Sequence, residues 1–136
     1  MDYDMTKDWV NDINGMHSHY GVHPVMKTMD KDKLRKFLEF RANFLQEELD
    51  ELRSADNAED VVDALIDLCV VAIGTLDSFG VDSHKAWDVV LEANMNKQVG
   101  IKASRPNPLG LPDLIKPEGW TAPSHADNHG TLKDIF

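Results

Sequence analysis

An all-α fold of the four-helix-bundle type, followed by an irregular arm, is what this sequence predicts. Three observations carry that expectation. Leu34, Phe37, Leu38, Leu45, Leu49 and Leu52 recur at helical spacing. Residues 61–73 are apolar almost all round, as in a helix buried within a bundle. Nothing between residues 5 and 98 carries the alternation of a strand. A chain of 136 residues suits one domain with a single hydrophobic core. We therefore expect a helical domain over residues 1–98. The arm, 99–136, either completes that domain or packs on a neighbouring subunit.

The elements follow in order. Thr6 is placed to cap a short first helix through "KDWVNDINGMHSHY", which ends near Gly21 and Pro24. A second helix starts after Thr28 or Asp30 and reaches about Arg53. The third begins at "DNAE", where Asp56 and Glu59 have capping-box spacing, and stops near Gly80. The fourth starts at Asp82 or Ser83, covers "HKAWDVVLEANMNKQ" and ends before Gly100. Beyond it, "RPNPLGLPDLIKPEGWTAPSHADNHG" holds five prolines, which excludes regular helix. Leu109, Leu111, Leu114, Ile115 and Trp120 give this arm apolar groups with which to pack. Trp87 is expected in the core.

Composition narrows the function. Fourteen basic residues against 24 acidic ones leave a formal charge of -10, and no basic cluster offsets it. Nucleic acid is therefore not an expected partner. A small anionic substrate meets the same repulsion and needs a cation to bridge it. The single Cys69 lies in an apolar run and reads as a buried thiol in a reducing cytoplasm. The acidic start "MDYDMTKDWV" does not resemble a signal peptide. The stretch "ALIDLCVVAIGTL" is too short to span a bilayer, so no membrane partner is expected.

The richest segment is "EELDELRSADNAEDVVDALID", with nine carboxylates in 21 residues. The short link between helices two and three implies an antiparallel hairpin, in which residue numbers of constant sum lie at one height. Glu51 then faces Asp60, and Glu48 faces Asp63. Glu48 continues the apolar line Leu34, Leu38, Arg41, Leu45, Leu52, while Asp60, Asp63 and Asp67 interrupt the apolar third helix along one stripe. Buried carboxylates cost several kcal/mol each unless paired, and only Arg41 and Arg53 are near. A hard divalent cation such as Mg²⁺ solves this economically, because it takes oxygen ligands and keeps positions open for substrate phosphates. Glu47, Asp50 and Glu59 read as solvated.

These residues carry a resemblance. "EELDEL" followed by "EDVVDALIDL" resembles the paired acidic signature of the all-α nucleoside triphosphate pyrophosphohydrolases. That superfamily includes MazG proteins, dimeric dUTPases and phosphoribosyl-ATP pyrophosphatases. "EANMNK" is similar to the family's Asn-x-x-Lys segment. "MHSHYGVHP", "LRKFLEFRANFLQEEL" and "KPEGWTAP" look like parts of MazG-like phosphoribosyl-ATP pyrophosphatase homologues, phage-encoded ones included.

The resemblance implies Mg²⁺-dependent cleavage of a nucleoside triphosphate between its α and β phosphates, with Mn²⁺ as a possible substitute ion. It implies Glu48, Glu51, Asp60 and Asp63 as metal ligands. Glu47 and Glu51 are the candidate bases, with Glu47 or Asp67 orienting water or supporting the ligands. Asn94 and Lys97 contact substrate, the lysine through phosphate. Asp60 stands where the family has Glu, one methylene longer, so its contact runs through water or falls to a neighbour. A homodimer or homotetramer is expected, in the cytoplasm, or the host's cytoplasm for a phage-encoded protein. Two alternatives stay open: a phosphoribosyl-ATP pyrophosphatase, and a non-catalytic helical module that keeps a cation site. His17, His19 and His23 lack the Cys or His quartet of a structural zinc site, and read as loop or pocket histidines.

Overall fold

The structure is a computed structural model, described for residues 8–102, 104 and 109–136. Among these are five α-helices: α1 Trp9–His19, α2 Val22–Lys27, α3 Lys31–Ser54, α4 Ala58–Ser78 and α5 Ser83–Met95. Two short strands, β1 Gln98–Gly100 and β2 Asp113–Ile115, and a 3₁₀ helix, Gly130–Asp134, complete the order. The all-α expectation holds. The chain divides into two compact units, residues 1–83 with 128–136, and residues 84–127.

In the first unit α1, α3 and α4 each start where a side chain satisfies free amides. Asp8 accepts from the Val10 and Asn11 amides and opens α1; Thr6 lies outside the described residues. Gly21 ends the turn after α1 with φ of 73°, which favours glycine. The chain then turns at once into the short α2, which the sequence reading missed. Pro24 had suggested a stop, but it stands in the first turn of α2, where no intrahelical amide is lost. Asp30 caps α3 through the Lys33 amide at 2.9 Å.

The start of α4 lies one residue later than the capping-box spacing predicts. Asn57, not Asp56, accepts from the Asp60 amide at 2.9 Å, and its own amide donates to the Asp60 carboxylate at 2.9 Å. Asn and Asp are equally good caps, so spacing alone could not choose between them. At the other end Gly80 (φ 74°) closes α4. Val81 N donates to Leu76 O and Gly80 N to Asp77 O, the paired bonds of a Schellman turn.

The core of this unit gathers Leu34, Phe79 and Ile135, with Met26, Met29, Phe37, Leu38, Val81 and Leu132 packed around them. Residues 128–136 thus close over the hairpin formed by α3 and α4. Thr131 N donates to Phe79 O at 2.7 Å, and a Cβ on Gly130 would collide with that carbonyl. Asn128 exchanges two hydrogen bonds with the Asp82 backbone, at 2.8 and 2.9 Å.

Helix α4 is not buried all round. Ala64, Val71, Gly74 and Ser78 share its buried face. Val62, Leu65 and Ile66 lie on the opposite side and are 61%, 47% and 44% exposed. Cys69 is half-buried.

In the second unit β1 and β2 pair antiparallel, with Val99 opposite Leu114. Gly100 is needed there, because a Cβ would press into the Ile115 side chain. The Trp120 indole donates to Ala93 O at 2.8 Å. Trp87, expected in the core, is 66% exposed.

Phe79→Ala should cost about 3–5 kcal/mol, the usual range for deleting a buried aromatic ring. Urea denaturation followed by circular dichroism measures it.

Candidate active site

Helices α3 and α4 pack along each other after a three-residue link, which sets their acidic faces together. Glu48 is buried, whereas Glu51 is exposed and Asp67 half-buried. One carboxylate oxygen from each lies within 4.8 Å of the other two. Asp63 also bears on Glu48 through its charge. Asp60 is engaged with Asn57 at the helix start. Glu47 is exposed on α3. The residue that completes the close group is therefore Asp67, about two turns along α4 from Asp60.

Electrostatics make Glu48 the centre of the site. Burial pushes its carboxyl above the usual carboxylate range, and the neighbouring charge of Glu51 pushes it further. Asp67, a hydrogen bond with Glu51, and Asp63 act in the same direction. Its Oε2 is buried and has no hydrogen-bond partner among the described residues. The nearby cation gives no relief. Arg41 donates from Nε to Thr75 Oγ1 at 2.8 Å and from Nη2 to Val71 O at 3.0 Å. Its guanidinium also stands over the rings of Phe37 and Phe44. An orphaned buried carboxylate oxygen among like charges fits a hard divalent cation, whose preferred ligands are oxygens. Glu48, Glu51 and Asp67 are the residues able to hold one, with Asp63 adjacent.

A second group of polar side chains lies on the first unit, ten residues further along α4. Asp77 Oδ2 accepts from His17 Nδ1 at 2.7 Å and from His23 Nε2 at 2.8 Å. Asn14 Nδ2 donates to Oδ1 at 2.8 Å. Burial pushes the Asp77 carboxyl up, but the hydrogen bonds from Asn14, His23 and His17, with the charge of His17, hold it below the usual range. The sequence reading noted these histidines but not Asp77. The available signal was one more acid within the apolar α4, beyond the stripe of Asp60, Asp63 and Asp67.

The remaining candidates, Asn94 and Lys97, belong to the second unit. Asn94 is exposed near the end of α5. The Lys97 ammonium stands 5.4 Å from the centre of the Trp120 ring, and Lys116 stands 5.1 Å from it.

A family profile described as phosphoribosyl-ATP pyrophosphohydrolase matches residues 25–94. The match spans the whole α3–α4 hairpin that carries the carboxylates. The chain belongs to the phosphoribosyl-ATP pyrophosphohydrolase family. That family is part of the MazG-like all-α nucleoside triphosphate pyrophosphohydrolase superfamily, whose activity is hydrolysis of acid anhydrides. No match was found among curated proteins or among solved structures. No single described helix is long and apolar enough to cross a membrane.

The raised carboxyl of Glu48 fixes the sign of a pH effect. In metal-free protein the folded state holds this proton to higher pH than the unfolded chain does. Glu48 therefore favours the fold below the ordinary glutamate range, and that contribution is lost as pH rises through the raised value. Thermal melts in EDTA across weakly acidic to neutral pH should show the loss. Glu48→Gln should flatten it and raise the neutral-pH melting temperature.

Proposed function

We propose that this protein is a Mg²⁺-dependent nucleotide pyrophosphohydrolase, with Mn²⁺ able to substitute. It would cleave a (deoxy)nucleoside triphosphate between the α and β phosphates to give the monophosphate and pyrophosphate. The observation that carries the reading is the buried Glu48 carboxylate, one oxygen of which has no hydrogen-bond partner among the described residues, grouped with Glu51 and Asp67 inside the region the family profile covers.

Glu48, Glu51 and Asp67 would hold the cation, with Asp63 beside them and Asp60 contributing at the helix start. When bound, Mg²⁺ supplies charge neutralisation for phosphate oxygens and a more acidic water. Whichever carboxylate is left free of the cation, with the exposed Glu47 and Glu51 the candidates, would take the proton from the attacking water. Lys97 pairs with a phosphate, its position supported by the Trp120 ring, and Asn94 reads a polar edge of the substrate. Phosphoribosyl-ATP is the second candidate substrate, favoured by the family's own description.

We read the assembly as a homodimer or homotetramer. Val62, Leu65 and Ile66 on α4 and Phe40 on α3 supply exposed apolar surface for a second copy. No nucleic acid or membrane partner enters the reading, and the cytoplasm remains its expected compartment.

Pyrophosphate release from a panel of NTPs, dNTPs and phosphoribosyl-ATP tests the proposal. Turnover is expected with Mg²⁺ and none with EDTA. Glu48→Gln and Asp63→Asn should each abolish it while leaving the metal-free protein as stable or more so. A structural ion-pair partner would instead destabilise by about 3–5 kcal/mol when removed. Failure of every substrate with every metal would leave the non-catalytic cation-binding module in place. Light scattering should report more than one chain per particle at micromolar concentration, and a compact monomer would refute the assembly.

A further inference from the structure

We propose that His17, His23 and Asp77 form a second cation site, separate from the carboxylate cluster, for a borderline divalent ion of the Zn²⁺ class. The group joins three elements of the first unit. His17 comes from α1, His23 from α2 and Asp77 from α4. One ring nitrogen of His17, one of His23 and an Asp77 oxygen lie within 4.8 Å of one another, and His17 Nδ1 and His23 Nε2 both contact Asp77 Oδ2. Ten residues of helix separate Asp77 from Asp67, or about 15 Å, so no ion can be shared between the two sites.

The donor set selects the ion. Two imidazole nitrogens and one carboxylate oxygen suit zinc and its neighbours, whereas the all-oxygen set around Glu48 suits Mg²⁺. Adjacent ligands on tetrahedral zinc stand about 3.3 Å apart. The two His–Asp contacts, at 2.7 and 2.8 Å, need open by only about half an ångström to admit the ion. Loading requires the lone pairs of His17 Nδ1 and His23 Nε2. The proton that each now donates to Asp77 must therefore sit on the opposite ring nitrogen, or be released. For His23 that nitrogen, Nδ1, faces the Ser18 hydroxyl at 3.4 Å, the kind of outer contact that orients ligating histidines. For His17 that nitrogen, Nε2, lies beside Gly74, where a Cβ would stand 3.4 Å from it, at ordinary contact.

Three protein ligands leave a fourth position. A cavity of about 520 Å³ adjoins the group, lined by Asn14, His23, Lys27, Asp77 and residues 78–82 among others. It gives water or a small ligand access to the ion. Asn14 stays bonded to the other Asp77 oxygen and holds the carboxylate in place. An ion here ties α1 and α2 to α4, so it should raise the melting temperature by mass action.

Cobalt(II) absorption on untagged, full-length protein tests the site, because tetrahedral imidazole ligation gives an intense visible band that an all-oxygen site does not. The wild type and Glu48→Gln should both show the band, saturating at a single equivalent, displaced by Zn²⁺ and unaffected by excess Mg²⁺. His23→Ala should bind at least about tenfold more weakly, and Asp77→Asn should lose the band. If Asp77→Asn fails to fold by circular dichroism, the half-buried His23, substituted by Ala and by Gln, decides the matter. Absence of the band at saturating cobalt overturns the proposal. So does a band equally strong in both His23 variants, or one that disappears in Glu48→Gln.

Discussion

The seam between α3 and α4 must accommodate two ionic side chains, and the way it treats each explains much of the molecule. Arg41 enters the seam and is fully accommodated: it bonds to Thr75 and to the Val71 carbonyl, and lies against two aromatic rings. Gly74 leaves the space that its guanidinium fills. Glu48, two turns further along the same line of α3, receives no such treatment. One of its oxygens is buried without a partner, and its neighbours are carboxylates. An uncompensated buried charge is expensive, so the surrounding structure must hold the helices together against it. The cap at Asn57, the Schellman turn at Gly80 and the core around Phe79 do that from both ends of α4.

The same helix separates its tasks by face. Small residues, Ala64 and Gly74 among them, bring α4 close to its neighbours, and the acids lie on or beside that face. The large apolar groups Val62, Leu65 and Ile66 look the other way. The acidic surface of a chain with charge -10 repels a polyphosphate at a distance. In the proposed reading, attraction at the carboxylate cluster is therefore confined to the point where a bound cation can meet phosphate. That arrangement favours a compact, highly charged substrate over an extended nucleic acid.

Helical periodicity made the α3–α4 hairpin and its acidic content legible, because 3.6-residue spacing is recorded directly in residue identity. Glu48 could be singled out since it stands on a line of leucines. The vertical register was less accessible. Constant-sum pairing puts Glu48 level with Asp63, whereas the structure groups it closely with Asp67, because pairing height depends on how the link at 55–57 turns and where Asn57 begins the helix. Trp87 stands exposed where its hydrophobicity suggests the core, since hydrophobicity alone does not say which apolar groups a single chain can cover. The β1–β2 pair escaped notice because each strand is only three residues long. Asp77 was passed over because its partners arrive from α1 and α2, 54 and 60 residues away.

Phe79 is covered by Ile135, and the Arg35 guanidinium reaches the Ile135 carbonyl across 100 positions of sequence. Contacts this distant close late, because a long loop must first be immobilised. During synthesis the ribosome therefore releases α1 to α4 well before residues 128–136 exist to seal them. Over that interval a nascent chain presents its largest fully buried ring to solvent, where chaperones or other unfinished chains can reach it.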